Sequence, residues 1–316
     1  MGIKNFFKFI EKYSPESIKN TKIIDYKNKV IGIDANLMLY KIIFAIRANG
    51  YDLKNNNIII THVHTLLLKL LAFKKYNIKP IFVYDNAPPE LKYNTLEERD
   101  ELKKKIINKY KDDTTDKGKR IYYYVKSNIT EKEIEECKLL IDIFGFVNIQ
   151  AEQEADAQLA DMYKSGLIDV IISDDMDILL FGGGTLVKNF SISEKETMKE
   201  IDLEIILKTL KLSKKMLIDL GILMGSDYCD NNGMSYNKAY KLIKKYDSLK
   251  KIPKDVFNYD CSGAQEYFKE PLVLHIEEVM SNEKINKKKL KNYLLKFNFG
   301  DNYIDKLMEK INLMEK

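Results

Sequence analysis

Seven carboxylates are spaced as if for one task. Asp34, Asp85 and Asp175 stand at or just beyond the end of short apolar runs. Asp177 follows Asp175 by two positions, Glu154 and Asp156 are two apart at the start of an amphipathic stretch, and Asp227 lies in Gly-Ser-Asp-Tyr. One Asp after a strand is an ordinary helix cap. Three strands that end this way, with four more carboxylates behind them, point to a shared pocket. Converging carboxylates repel each other and resist ionisation unless cations sit between them. Mg²⁺ prefers carboxylate and water oxygens. Two such ions about 4 Å apart can activate a water and stabilise the leaving oxygen of a phosphodiester. Asp175 and Asp177 would share one ion if strand geometry persists, because residues two apart in a strand face the same side. Helical spacing would splay Glu154 and Asp156, so one of them must lie in the turn before the helix or act through water.

The elements that must hold these side chains alternate in type. Lys29–Asp34, Lys79–Asp85, Phe146–Ile149, Leu167–Ser173 and Leu186–Phe190 read as strands. Helices are predicted over Ile3–Tyr13 (Phe6, Phe7 and Ile10 inward), Leu37–Ala48, His62–Tyr76, Leu91–Tyr110, Thr130–Phe144, Glu154–Ser165, Leu217–Met224 and Tyr236–Tyr246. Asp112–Lys119, polar and with Gly118, reads as a flexible tip, and Gly182-Gly183-Gly184 as a hairpin turn. Alternating strands and helices predict an α/β fold, a mostly parallel twisted sheet with helices on both faces. Ligand sites in such sheets lie at the carboxyl ends of the strands, where Asp34, Asp85 and Asp175 fall.

With 316 residues, 45% hydrophobic and 31% charged, the chain has the balance of a soluble globular protein. Net charge is only +5, but its distribution is uneven. From Lys92 to Lys126 eleven Lys/Arg face seven Asp/Glu, and from Ser235 to Asp255 seven Lys face two Asp. Basic surface around a localised acidic pocket suits a phosphodiester substrate. Cys137, Cys229 and Cys261 are widely spaced and odd in number, which suggests neither a zinc site nor a disulfide and fits a reducing, intracellular compartment. Cys137 and Cys229 read as small buried apolar groups. Membrane-spanning, secretory and myristoylation patterns are missing. His62-Val-His64 lacks a third ligand and reads as an ordinary helix start.

These residues resemble the flap endonucleases of the XPG family. Met-Gly-Ile-Lys-Asn-Phe is similar to the family's opening, Val-Ile-Gly-Ile-Asp34-Ala-Asn-Leu-Met-Leu-Tyr40 to its first acidic motif, and Phe-Val-Tyr-Asp85-Asn-Ala-Pro-Pro-Glu-Leu-Lys92 to its second. Glu154-Ala-Asp156-Ala, Ser-Asp-Asp175-Met-Asp177 and Leu-Met-Gly-Ser-Asp227-Tyr-Cys complete the set, and the resemblance runs to about residue 275.

The resemblance implies a PIN-like 5′-nuclease fold with a helical arch and a helix–two-turn–helix motif. It places a nuclease core over 1–255, with an N-terminal acidic region 1–100, an arch near 91–126, an internal acidic region 127–230 and the helix–two-turn–helix near 217–246. A helical extension over 256–316 packs on that core. Asp34, Asp85, Glu154 and Asp156 would serve chiefly one Mg²⁺, and Asp175, Asp177 and Asp227 chiefly a second, with Mn²⁺ able to substitute. Lys92 and Arg99 would stabilise the transition state at the scissile phosphate. Tyr40 would stack on a base. Gly2, Arg47, Lys69, Glu154, Gly225, Asp227, Gly233 and Lys238 would meet DNA.

Two departures from the family pattern stand out. The hairpin Gly-hydrophobic-Gly reads Gly233-Met234-Ser235 here, so a positive φ at Ser235 would be costly and would put the hairpin's monovalent cation in question. Leu102 replaces a frequent arch Arg, with Lys103 beside it. No sliding-clamp motif is seen, and a monomer acting on branched DNA is expected. The reading that follows is a 5′-flap endonuclease with 5′→3′ exonuclease activity, serving replication or repair in nucleus or cytoplasm. An exonuclease or junction cutter of the same superfamily and a non-catalytic DNA-binding scaffold are the alternatives.

Overall fold

The computed structural model describes residues 2–229, 231, 233–279 and 284–315. Asn232 of the hairpin and Met1 of the opening motif lie outside the described residues. The strands are β1 (Ile18–Thr21), β2 (Val30–Asp34), β3 (Lys54–Asn55), β4 (Ile58–Ile59), β5 (Lys79–Tyr84), β6 (Val147–Gln150), β7 (Val170–Ile172), β8 (Thr185–Lys188) and β9 (Met198–Asp202). Seven of them form one sheet in the order β1-β9-β8-β7-β2-β5-β6, and β3 pairs with β4 apart from it. The centre is parallel, as expected: β2 pairs with β5 and β7, β5 with β6, and β7 with β8. The β9 and β1 edge is antiparallel. Its residues are largely polar on one side, so neither strand carries the apolar run that marked the others.

The helices are α1 (Phe6–Tyr13), α2 (Ala35–Arg47), α3 (Thr61–Lys75), α4 (Tyr93–Tyr110), α5 (Asp116–Lys126), α6 (Glu131–Ile143), α7 (Ala155–Lys164), α8 (Asp177–Phe181), α9 (Leu203–Leu210), α10 (Lys214–Met224), α11 (Tyr236–Tyr246), α12 (Ser262–Lys269), α13 (Lys287–Lys296) and α14 (Asp301–Met314). Side chains alternate across the sheet and create two apolar cores. Ile81 and Val83 of β5 point into one core with α1, α7, α8, α9, α10, α11 and α12. Phe82 and Tyr84 point into the other with α2, α3, α6, α13 and α14. Gly32 lets α7 close onto the sheet, since a Cβ there would stand 2.6 Å from Leu159 and 2.5 Å from Ile168. That close approach sets the start of α7 beside the strand ends.

Several local readings are corrected. In α1 it is Phe9, not Phe7, that is buried with Phe6 and Ile10. The expected tip at 112–119 is half helical. Thr115 caps α5 by accepting the Gly118 N–H at 3.0 Å, so Gly118 lies inside a helix. Gly182–Gly184 is not a hairpin turn, because Gly182 ends α8 at φ 95° and the chain then runs into the parallel strand β8. Cys229 and Cys261, 32 positions apart in sequence, form a disulfide with Cα atoms 5.4 Å apart. Wide spacing hid this pair because the loop after α10 and the start of α12 meet only in three dimensions. Cys137 is free and buried. No described helix is long and apolar enough to cross a membrane.

Candidate active site

Three adjacent strands, β5, β2 and β7, run in the same direction and deliver their acids to one edge. Asp34 ends β2 and caps α2, taking the Leu37 N–H at 3.0 Å and the Ser173 hydroxyl at 3.1 Å. Asp85 follows β5. Its backbone N–H donates to Asn36 at 3.0 Å, and its carboxylate takes the Ala155 N–H at 2.9 Å, which ties it to the start of α7. Glu154 is the extended residue before α7, at φ −104° and ψ 138°, and Asp156 lies in the helix's first turn. The chain thus solves the splaying problem by placing Glu154 outside the helix.

Asp175 and Asp177 meet by a different route from the one expected. The strand has ended at Ile172, and Asp177 begins α8. The Asp177 N–H donates to Asp175 Oδ1 at 3.1 Å, and Asp177 Oδ1 accepts the Ile3 N–H at 3.1 Å. The chain's beginning is therefore seated on the acids. A Cβ at Gly2 would lie 2.1 Å from Asp175 Oδ1 and 2.5 Å from Asp177 Oδ1, so only glycine fits there.

The cluster is electrostatically unhappy by itself. Burial, then repulsion from Asp85, pushes the Asp34 carboxyl up to about 7. Asp156 and Asp177 are raised well above the carboxylate range by burial and then by Asp175. Asp85 shifts the same way, from enclosure and from Glu154. Asp156 Oδ1 is buried with no hydrogen-bond partner. An all-oxygen donor set, mutual repulsion and an open buried lone pair fit a hard divalent cation. Among the described residues, no three such side chains stand in chelating geometry.

The two cations are found among these acids. Lys92 ends a short turn before α4, and its ammonium donates to Glu154 Oε1. Burial pulls the Lys92 pKa down, but Glu154 overrides this and holds it above the usual lysine range. Arg99, two turns into α4, donates to Asp227 Oδ2 at 2.6 Å, and Thr95 donates to the Asp227 carbonyl at 3.0 Å. Beneath α4 and α5 lies a cavity of about 750 Å³ whose lining includes Tyr40, Phe44, Arg99, Leu102 and Tyr124. Tyr40 is 40% exposed and stacks on Phe44 at 4.2 Å, with its hydroxyl 3.1 Å from that of Tyr124.

The residues expected at duplex DNA divide. Lys238 is exposed on α11 with Lys241 and Lys245. Gly225 and Gly233 carry φ of 99° and 63°, and Gly233 packs on Met224 so closely that a Cβ would stand 2.5 Å from its carbonyl oxygen. Ser235 has φ −59° as the residue before α11, so its side chain incurs no strain. Lys69 is half-buried, 5.0 Å over the Phe190 ring, and burial followed by Lys41 lowers its pKa to about 8.

Arg47 does not reach the surface. Its guanidinium binds Asp52 at 3.0 Å, Glu133 at 2.6 Å and the Asn128 carbonyl at 2.8 Å, and the residue is only 4% exposed. An Arg in the last turn of a helix gave no hint that three acceptors, the buried Glu133 among them, were waiting. His62 is buried beside this group with Nε2 2.8 Å from Glu136.

Two site residues escaped the sequence reading. Tyr228 and Tyr267 both donate to Glu154 Oε2, at 2.7 and 2.9 Å. Tyr228 could have been noticed beside Asp227. Tyr267, on α12, carried no local signal.

Residues 1–106 match the XPG N-terminal domain and residues 145–227 the XPG I-region. Flap endonuclease 1 of Plasmodium chabaudi chabaudi is 33% identical over 98% of this chain and 72% of its own length. The chain belongs to the flap endonuclease family. Flap endonuclease 1 of Plasmodium vivax is 34% identical over 98% of this chain but only 55% of its own length, so the chain spans little more than half of that relative. The catalytic core of Rad2 in complex with DNA substrate superposes with a TM-score of 0.76, at 22% identity over 99% of this chain and 100% of that one, which shows a shared fold. All seven carboxylates, with Lys92 and Arg99, fall inside the two matched regions of this flap endonuclease family member. The second half of its arch lies between them.

Proposed function

We propose that this protein is a Mg²⁺-dependent, structure-specific 5′-flap endonuclease with 5′→3′ exonuclease activity on branched DNA in replication or repair. The observation that carries this reading is the acidic basin lying directly under a two-helix arch that supplies Lys92 and Arg99. Asp34, Asp85, Glu154 and Asp156 would hold one Mg²⁺, and Asp175, Asp177 and Asp227 a second, with Mn²⁺ as a substitute. When bound, such ions would supply a coordinated water more acidic than bulk water, and positive charge for the phosphate.

The protein's own groups do the rest. Lys92 and Arg99 turn from their carboxylate partners to the phosphate and neutralise charge that develops on it. Tyr40 offers a ring to an unpaired base in the cavity under the arch. The exposed lysines of α11 neutralise duplex phosphates, and Gly225 and Gly233 allow close approach of the backbone. Lys69, which lines a small cavity with Lys41 and Asp34, adds a cation near the acids.

End-labelled double-flap, nicked, gapped and four-way-junction DNAs, incubated with Mg²⁺ and with an EDTA control, test the reading. Incision near the base of the 5′ flap, in preference to the other substrates, is expected. Stepwise shortening of nicked DNA would move the protein to the exonuclease branch, and junction cutting to the resolvase branch. No metal-dependent cleavage of any substrate would favour a binding scaffold.

A further inference from the structure

Glu154 is held by groups outside its own helix. It precedes α7 but makes no side-chain capping bond to it, and it is 6% exposed. Its orientation rests on three donors. Lys92 takes Oε1, and the Tyr228 and Tyr267 hydroxyls share Oε2. Tyr228 arrives with the Asp227 loop. Tyr267 arrives from α12, 113 residues beyond Glu154.

We propose that Tyr267 is a positioning residue for the nuclease site, which with Tyr228 holds Oε2 of Glu154 and so fixes that carboxylate for a site cation once Lys92 has turned to the phosphate. The inference rests on the nuclease reading above. Packing alone does not require a hydroxyl here. The Tyr267 ring lies 5.0 Å from that of Tyr228 and meets Phe181 edge-on at 5.6 Å, contacts a phenylalanine would keep. What a phenylalanine would lose is the bond to Glu154. The support of α12 is also specific. Ala264 and Phe268 anchor it in the core, and the Cys229–Cys261 disulfide joins its start to the residue after Tyr228. The two phenols therefore sit on segments that are covalently tied, and both face one carboxylate oxygen. Two donors on one oxygen restrict it more than either does singly, so their loss should not be additive.

The test compares the full chain with Tyr267→Phe, Tyr228→Phe and the double variant. Removing one hydrogen bond to a charged acceptor while the other remains should slow single-turnover flap cleavage at subsaturating Mg²⁺ by about 5-fold and raise half-saturating Mg²⁺ about 3-fold. Mn²⁺ affinity, titrated by electron paramagnetic resonance without DNA, should weaken by a similar factor. The double variant should lose more than the product of the single effects, and high Mg²⁺ should rescue Tyr267→Phe. Unchanged Mn²⁺ affinity together with unchanged Mg²⁺ dependence in Tyr267→Phe would overturn the proposal, as would a lowered melting midpoint with both unaltered. If the parent chain cuts no substrate, the nuclease reading fails while the Mn²⁺ titration still decides the role of Tyr267.

Discussion

The floor of the site and the arch above it are built on opposite principles. The floor is rigid by construction. Its acids stand at the ends of paired parallel strands or at the starts of packed helices, where Asp34, Glu154, Asp175 and Asp177 are buried. The arch has little core. α4 buries none of its side chains, and α5 buries only Gly118. It is tied to the body by Lys92 to Glu154, Arg99 and Thr95 to Asp227, and Tyr123 to Asp52 at 2.6 Å. The sheet thus holds like charges together against their repulsion, and the arch lends its cations to the same acids. On the proposed reading, a bound cation and a phosphate would compete for those ion pairs, so loading the floor would favour release of the arch's cations.

The strongest test of the floor is Asp177→Ala. Cleavage should fall on the order of 10³-fold or more, because the variant loses a charge that the basin aims at the cation. Flap DNA binding, read by fluorescence anisotropy, should remain measurable. Normal cutting by this variant would break the assignment of the basin.

The arch's root is tested through Arg47. Removing a buried guanidinium leaves Asp52 and Glu133 unpaired, so Arg47→Ala should lower stability by about 3 kcal/mol in a denaturant titration. An unchanged midpoint, with weaker DNA binding, would return Arg47 to the DNA surface.

Lys92→Ala should reduce single-turnover cleavage about 10²-fold, the usual scale for one electrostatic donor at a transition state. A loss confined to DNA affinity would mean that Lys92 only anchors the arch.

The smallest effect is on thermal stability against pH. Asp34 titrates in the folded chain at about 7, above its unfolded range, so the folded state binds more protons in between. The stabilisation is full below the unfolded pKa and is lost as pH rises through about 7. The metal-free melting midpoint should therefore fall between pH 5 and 8. Added Mg²⁺ should raise it by a few degrees, and more at pH 8 than at pH 5. A midpoint that rises over this range without metal would contradict the crowding of the floor.

Legibility in the sequence follows the same divide. The strands that carry Asp34, Asp85 and Asp175 were readable because a fully buried strand must be a continuous apolar run. The arch helix α4 was readable from its charged periodicity, but the first turn of α5 was read as part of a loose tip, because Asp, Thr and Gly there look like turn residues until Thr115 caps them. Strands β1 and β9, the antiparallel end of the sheet, passed unnoticed because neither is a continuous apolar run. Half of each faces solvent or a polar neighbour, so the apolar pattern is thin.

The sequence by itself determined which side chains could do the chemistry, in what order, and that parallel strands would carry the acids to a common edge. Local pattern suffices for that, since strand burial and the residue at a strand's end are written in adjacent positions. Only the tertiary structure decided which groups face one another: Gly2 wedged against Asp175 and Asp177, Arg47 withdrawn among Asp52, Glu133 and Asn128, Cys229 joined to Cys261, and Tyr267 brought to Glu154. Each of these contacts joins residues on separate elements. Their meeting is set by how helices pack on a sheet, and no local periodicity encodes that.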